Sequence, residues 1–252
     1  MRSLNFTSPK LRVIQVLPSA NISLLLGKEI TLIDTGLPVL SLKPLLHALK
    51  QAQREINEIQ QIICTHGHFD HIGSANQIKR VTGAKLFLHS ADAEILGQNY
   101  SSWIKNQKFS ADFVSQMQGW HRAWISVMNT SNYASFKYFI GIIKPDEKLE
   151  TVDHLDVSGL GSLEVISTPG HTRGSICLWH ETLKVLFTGD TILARGGKLG
   201  GPKGVFSESE REGRKNIAKL MLFRPKVCVP GHFRLFSGIA LQNISKLIPL
   251  EL

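Results

Sequence analysis

Residues 65–71 read Thr65-His66-Gly67-His68-Phe69-Asp70-His71, directly after the mostly apolar run Gln61-Ile62-Ile63-Cys64. His66, His68, Asp70 and His71 are all strong metal ligands, and they fall within a single short loop. Imidazoles two apart at the end of a strand can turn toward one point. A carboxylate and a third imidazole two and three residues later reach a neighbouring point as the chain bends into a helix. The spacing therefore predicts two metals where a strand passes through a loop into a helix. Cys64 lies two residues before His66 but inside the apolar run, and it is read as core packing because better ligands are present.

Working outward, three short strands are expected at 11–17, 22–26 and 30–34, separated by Pro18-Ser19-Ala20-Asn21 and Gly27-Lys28. Leu42, Leu45, Leu46 and Leu49 recur at helical spacing over 41–55. After the ligand loop come a helix over 73–81 closed by Gly83, a strand at 85–89 and a short helix over 91–96. The second half repeats the scheme, with strands at 149–157, 163–168, 175–179, 183–188 and 226–229. Helices are expected at 207–222, before the last of these strands, and at 238–248, the latter stopped by Pro249. Residues 100–140 interrupt the order with more than half of the chain's aromatics, among them Trp103, Phe109, Phe113, Trp120 and Trp124. That segment is read as helical, either as the packed face of a hairpin or as a lid or dimer surface with an apolar wall toward the site.

A second set of motifs runs in order behind the first. Ile33-Asp34-Thr35-Gly36 precedes the ligand loop; Thr168-Pro169-Gly170-His171-Thr172-Arg173-Gly174-Ser175, Phe187-Thr188-Gly189-Asp190-Thr191 and Pro230-Gly231-His232 follow it. On these landmarks the chain resembles the metallo-β-lactamase superfamily, in its glyoxalase II-like and lactonase-like branches. The resemblance implies an α+β fold, the αββα four-layer sandwich, carrying a helical insertion at about 100–145 within a single domain spanning 1–252. It implies that His66, His68 and His171 bind one metal, that Asp70, His71 and His232 bind the other, and that Asp190 bridges them. Asp34 would support a ligand histidine from behind, and Asp70 would orient the nucleophile and take up a proton.

The chemistry so implied is a dinuclear hydrolase, in which a hydroxide bridging two divalent ions attacks an ester, thioester or lactone carbonyl. Zinc is expected from the five imidazoles, with iron or manganese as alternatives. Departures from particular branches narrow the substrate. Only residues 233–252 follow His232, where glyoxalase II carries a helical glutathione-binding region, and Leu193 stands where lactonases place a tyrosine. His71 and Asp190 differ from the arginine and cysteine of the commonest zinc β-lactamases. The competing reading is a phosphodiesterase acting on nucleotides or nucleic acid. It draws on the net charge of +9 and on Arg195, Lys198, Lys203, Arg211, Arg214 and Lys215 in the last third. For the stretch from Arg211 to Lys219, a solvated helix face is the simpler account. Against nucleic acid, Phe206 is the only aromatic among these cations, so a base-stacking platform is poorly supported.

No run of about 18 apolar residues argues for a membrane helix, and the N-terminus lacks a signal-peptide pattern, so the chain is read as cytoplasmic. Its expected partner is a small-molecule substrate, with a homodimer as an option through the 100–140 aromatics. Cys64, Cys177 and Cys228 all sit in apolar strand-like runs, and no disulfide is expected. His47, His89, His121, His154 and His180 lack ligand context and are left without a site role.

Overall fold

Four antiparallel strands open the chain: β1 (Phe6–Ser8), β2 (Leu11–Ile14), β3 (Ile22–Leu26) and β4 (Ile30–Ile33). The connections then lengthen and the sheet turns parallel. Helix α1 (Leu42–Gln51) leads to β5 (Ile59–Ile63), α2 (Phe69–Ile72) and α3 (Ala75–Thr82) to β6 (Lys85–His89), and α4 (Ser90–Gln98) precedes β7 (Glu147–Leu149). The seven strands lie in sequence order. The computed structural model describes residues 6–16, 19–38, 40–98, 144–150, 153–195, 198–202 and 207–244. The aromatic segment and the insertion expected at about 100–145 fall almost wholly outside these residues.

The second sheet has the order β15-β14-β11-β10-β9-β8. Strands β8 (His154–Val157), β9 (Gly161–Ser167), β10 (Ile176–His180) and β11 (Val185–Gly189) run antiparallel. A small hairpin of β12 (Leu193–Arg195) and β13 (Lys198–Gly200) and helix α5 (Glu210–Leu220) intervene before β14 (Val227–Pro230), which returns parallel to β11. The described chain closes with β15 (Phe236–Ser237) and α6 (Gly238–Ile244).

Period-two alternation explains the layers. In the first sheet Leu24, Leu32, Ile62 and Leu86 face one way, into a cluster with Leu45 and Leu49 of α1 and Ile78 of α3. Their neighbours Leu25, Ile33, Ile63 and Phe87 face the other way, against Val165, Leu178, Phe187 and Val229 of the second sheet. The outer face of the second sheet puts Cys177, Trp179, Leu186 and Cys228 against Ile217 and Leu220 of α5 and Leu241 of α6. Helix, sheet, sheet and helix therefore stack around three apolar seams, with each fully buried Leu or Ile contributing about 1.5–3 kcal/mol. This is the αββα sandwich, with α+β content as expected.

Several boundaries differ from the sequence reading. The strand expected over 149–157 is two strands in different sheets, β7 at the edge of the first and β8 at the edge of the second. The first expected strand ends at Ile14. Helix α3 ends where expected, on Gly83 in the left-handed region at φ +72°. The cysteines are all free and buried. Arg211, Arg214, Lys215 and Lys219 lie on the exposed face of α5 while Gly213, Asn216, Ile217 and Leu220 are buried, so this part of the basic third is a solvated helix face. No helix among the described residues is long and apolar enough to cross a membrane.

Candidate metal centre

The expected ligands come from four loops, at the ends of β5, β9, β11 and β14, and the fold brings all of them together. Three groups of donor atoms lie within 4.8 Å of one another: His66 with His68 and His171, His66 with His71 and Asp190, and Asp70 with His71 and His232. His68 caps α2 in extended conformation, which turns Asp70 and His71 back beside it. Asp190 lies between the two triads. Its Oδ2 is 3.4 Å from His171 Nε2 and 3.5 Å from His232 Nε2, while Oδ1 is 3.5 Å from His71 Nε2. His232 Nε2 is also 3.1 Å from Asp70 Oδ2 and 3.3 Å from His71 Nε2.

These separations suit a metal better than a hydrogen-bond network. Ligand nitrogens about 2.0–2.1 Å from a tetrahedral ion stand roughly 3.3 Å from one another, close to most of the distances above. Moreover, His66 Nε2 and Asp190 Oδ1 are buried without a hydrogen-bond partner, a costly arrangement for polar atoms that nothing else satisfies. His68 Nδ1 and His171 Nε2 face each other at 2.8 Å, closer than two ligands of one tetrahedral ion would stand.

Electrostatics separates the two triads. Burial, reinforced by the neighbouring imidazoles, pushes His66 and His68 well below the ordinary imidazole range, and burial pushes His171 down to about 4. These three rings are neutral at pH 7, the form that ligates. Burial acts on His71 in the same direction, but the Asp34 and Asp190 carboxylates outweigh it and hold His71 well above the ordinary value. His232 is raised likewise, by Asp190 and Asp70 against burial. Asp70, despite burial, is held down to about 2 by His232 and His71.

Asp34 is where the sequence motif places it. Its Oδ2 accepts from His71 Nδ1 at 2.9 Å, and its two oxygens take the Thr65 N–H at 2.8 Å and the Thr65 hydroxyl at 2.9 and 3.1 Å. Asp34 sits at φ +56°, a left-handed conformation that Asp tolerates better than most residues. Of the histidines left unassigned, His180 is fully buried at the end of β10, His89 accepts the Ala91 N–H at 3.2 Å, and His121 lies outside the described residues. The orientation of Arg195, Lys198 and Lys203, on which the phosphodiesterase reading depends, also falls outside the described side chains.

Two residues missed in the sequence help to hold the centre. Asn21 Nδ2 donates to the carbonyls of Pro230 at 2.9 Å and Phe233 at 3.0 Å, clamping the turn that presents His232. Asp92 accepts from both histidine loops, with Gly67 N–H at 2.6 Å, Thr172 Oγ1 at 2.8 Å and Gly174 N–H at 2.8 Å. A signal for Asp92 did exist. It falls in the first turn after a strand parallel to β5, and the ends of neighbouring parallel strands share one edge of the sheet.

The family model described as Metallo-beta-lactamase superfamily matches residues 17–232. The chain belongs to the metallo-beta-lactamase superfamily. Within it, the chain is 32% identical over 184 residues to the human acyl-coenzyme A thioesterase MBLAC2, covering 69% of this chain and 58% of that protein. The chain thus spans less than two thirds of that relative's length. It is 37% identical over 87 residues to the hydroxyacylglutathione hydrolase of Brucella ovis, covering 30% of this chain and 34% of that one. Among solved structures, the superfamily protein TTHA1429 from Thermus thermophilus superposes with a TM-score of 0.71 at 20% identity, over 95% of this chain and 78% of the other. That last likeness bears on the fold alone.

Proposed function

We propose that this chain is a dinuclear metal-dependent hydrolase acting on thioesters, with acyl-coenzyme A thioesters as the leading substrate class. The observation that carries the metal part is the Asp190 carboxylate set between two complete triads, within 3.5 Å of His71, His171 and His232. The substrate class draws its support from the relatives named acyl-coenzyme A thioesterase and hydroxyacylglutathione hydrolase. His66, His68 and His171 would hold one ion, Asp70, His71 and His232 the other, and Asp190 both; the imidazole-rich set favours zinc. Bound there, the ions supply an acidified water near neutrality and positive charge at the developing oxyanion.

The protein's own groups then set what leaves. Asp70, its side chain 17% exposed, is ionised throughout the physiological range. It accepts a hydrogen bond from the attacking water and draws its proton toward solvent, but it carries no proton to donate. The carbon–oxygen bond forms, the carbon–sulfur bond breaks, and the sulfur departs with the bonding pair. A thiol of pKa about 8.5 leaves readily as its anion, whereas an alkoxide needs a proton. A panel of acyl-coenzyme A thioesters, a lactone, a phosphodiester and a β-lactam, assayed before and after chelation and zinc reloading, tests the reading. Turnover that survives metal removal, or that is confined to the phosphodiester, contradicts it.

A further inference from the structure

Asp92 is a carboxylate 2% exposed in the first turn of α4, and none of the proposed ligands is on that helix. Burial pushes its carboxyl above the usual range, so the fold bears a cost to keep it there. Its bonds all go to two loops. Oδ2 takes the N–H of Gly67, between His66 and His68, and the hydroxyl of Thr172, next to His171; Oδ1 takes the N–H of Gly174. The loops leave room for it in kind. A Cβ on Gly174 would lie 2.5 Å from Asp92 Cγ and 2.6 Å from Oδ1, and one on Gly67 would lie 3.3 Å from Oδ2. The carboxylate therefore fills the space that a side chain at Gly174 would need.

None of these contacts is to a residue of the Asp70, His71 and His232 triad. His66, His68 and His171 arrive from loops separated by about a hundred residues of chain, and Asp92 bonds to both loops. His71 of the other triad is bonded directly by Asp34, which reaches His66 only through the Thr65 hydroxyl, 3.2 Å from His66 Nδ1. We infer that Asp92 is a positioning residue for the His66, His68 and His171 triad, setting the spacing of its two loops while leaving the Asp70, His71 and His232 triad to Asp34. This rests on the metal reading proposed above. Asn at 92 keeps the shape but turns one acceptor into a donor, so the side chain can no longer accept from Gly67 and Gly174 together.

The test is a zinc titration of the metal-stripped full-length chain against a chromophoric chelator. Wild type takes two equivalents. Asp92→Asn weakens one of them about 10–100-fold and leaves the other within about threefold, the size of effect seen when an outer partner of a ligand is lost. Asp34→Asn weakens the other equivalent, and the double variant weakens both. A role in folding alone would lower the melting temperature without this selectivity. Should Asp92→Asn fail to fold, Thr172→Val, which removes one donor to Oδ2, is read the same way, with a several-fold loss in the same equivalent. Unchanged affinities, equal loss of both, or loss of the same equivalent in the Asp92 and Asp34 variants overturns the inference alone. A wild-type chain that takes fewer than two zinc ions overturns the metal reading and this inference with it.

Discussion

Gly231→Ala adds one methyl group and puts it in the centre. Gly231 donates its N–H to Gly189 O at 2.6 Å and accepts from Asn21 N at 2.6 Å, so its backbone is held from both sides. Its φ is not in the left-handed region, and alanine there carries no conformational penalty of that kind. The effect is steric. The new Cβ would fall 2.7 Å from His71 Cε1 and 3.0 Å from Gly189 C, and hard against Asp190 Oδ1. Carbon–carbon contact is comfortable only at about 3.5 Å, so the imidazole must move by roughly 0.8 Å. Ligand distances tolerate about 0.2 Å, and a misplacement near 1 Å costs about a hundredfold in rate. The expected result is loss of about one zinc per chain and a roughly hundredfold drop in thioester turnover, with overpacking costing about 1–3 kcal/mol of stability. Elemental analysis, turnover and a thermal melt measure the three effects. Gly83→Ala is the control: it sits at φ +72° with nothing within 4 Å of its Cβ, so it should cost about 1–2 kcal/mol and leave metal and turnover unchanged. Full zinc content and turnover within a few-fold in Gly231→Ala would refute the placement of His71 and Asp190 as ligands.

Asp70→Asn keeps the shape of the side chain but removes its charge, and a loss of turnover of about a hundredfold or more is expected; near-normal activity at unchanged metal content would remove Asp70 from the reaction. Acidification should release the metals in two steps. His71 and His232 hold protons more tightly than ordinary imidazoles, so their ion is displaced first as pH falls through that range, whereas His171, neutral down to about 4, keeps its ion longer. Equilibrium dialysis across pH 4–8 reads this, and simultaneous release contradicts it. In the metal-free chain the sign for His71 and His232 reverses: their protonation stabilises the fold below the ordinary imidazole value, and that contribution is lost as pH rises through the raised values. Asn21→Ala removes two hydrogen bonds from the His232 turn; the Phe233 carbonyl keeps Gln15 Nε2, and the loss at the buried Pro230 carbonyl costs about 1–3 kcal/mol. Its melt should fall and its zinc retention weaken together; an unchanged melt would show that the turn holds itself.

The ligand motif was legible in the sequence because its geometry is local. His66, His68, Asp70 and His71 converge through one strand end and one helical turn, with the His71 N–H bonded to His68 O at 2.9 Å. The layers were legible too, since strands with interspersed helices in both halves fit two sheets with helices on their outer faces. Asp34, His171, Asp190 and His232 were reached only through resemblance to a family, as nothing in their spacing says that they meet. Asn21 and Asp92 escaped altogether: Asn21 bonds to residues 209 and 212 positions away, and Asp92 to residues 25 and 82 positions away. Their partners are mostly backbone N–H and carbonyl groups, which every residue carries and no residue type announces. The hairpin of β12 and β13 and the separation of β7 from β8 were missed as well, since strands of three and four residues are too short to leave a periodic trace. The sequence by itself determined which atoms can bind a metal and which faces must be covered. Only the tertiary structure decided which loops stand together and what holds them there, because that depends on single hydrogen bonds closing across long stretches of chain.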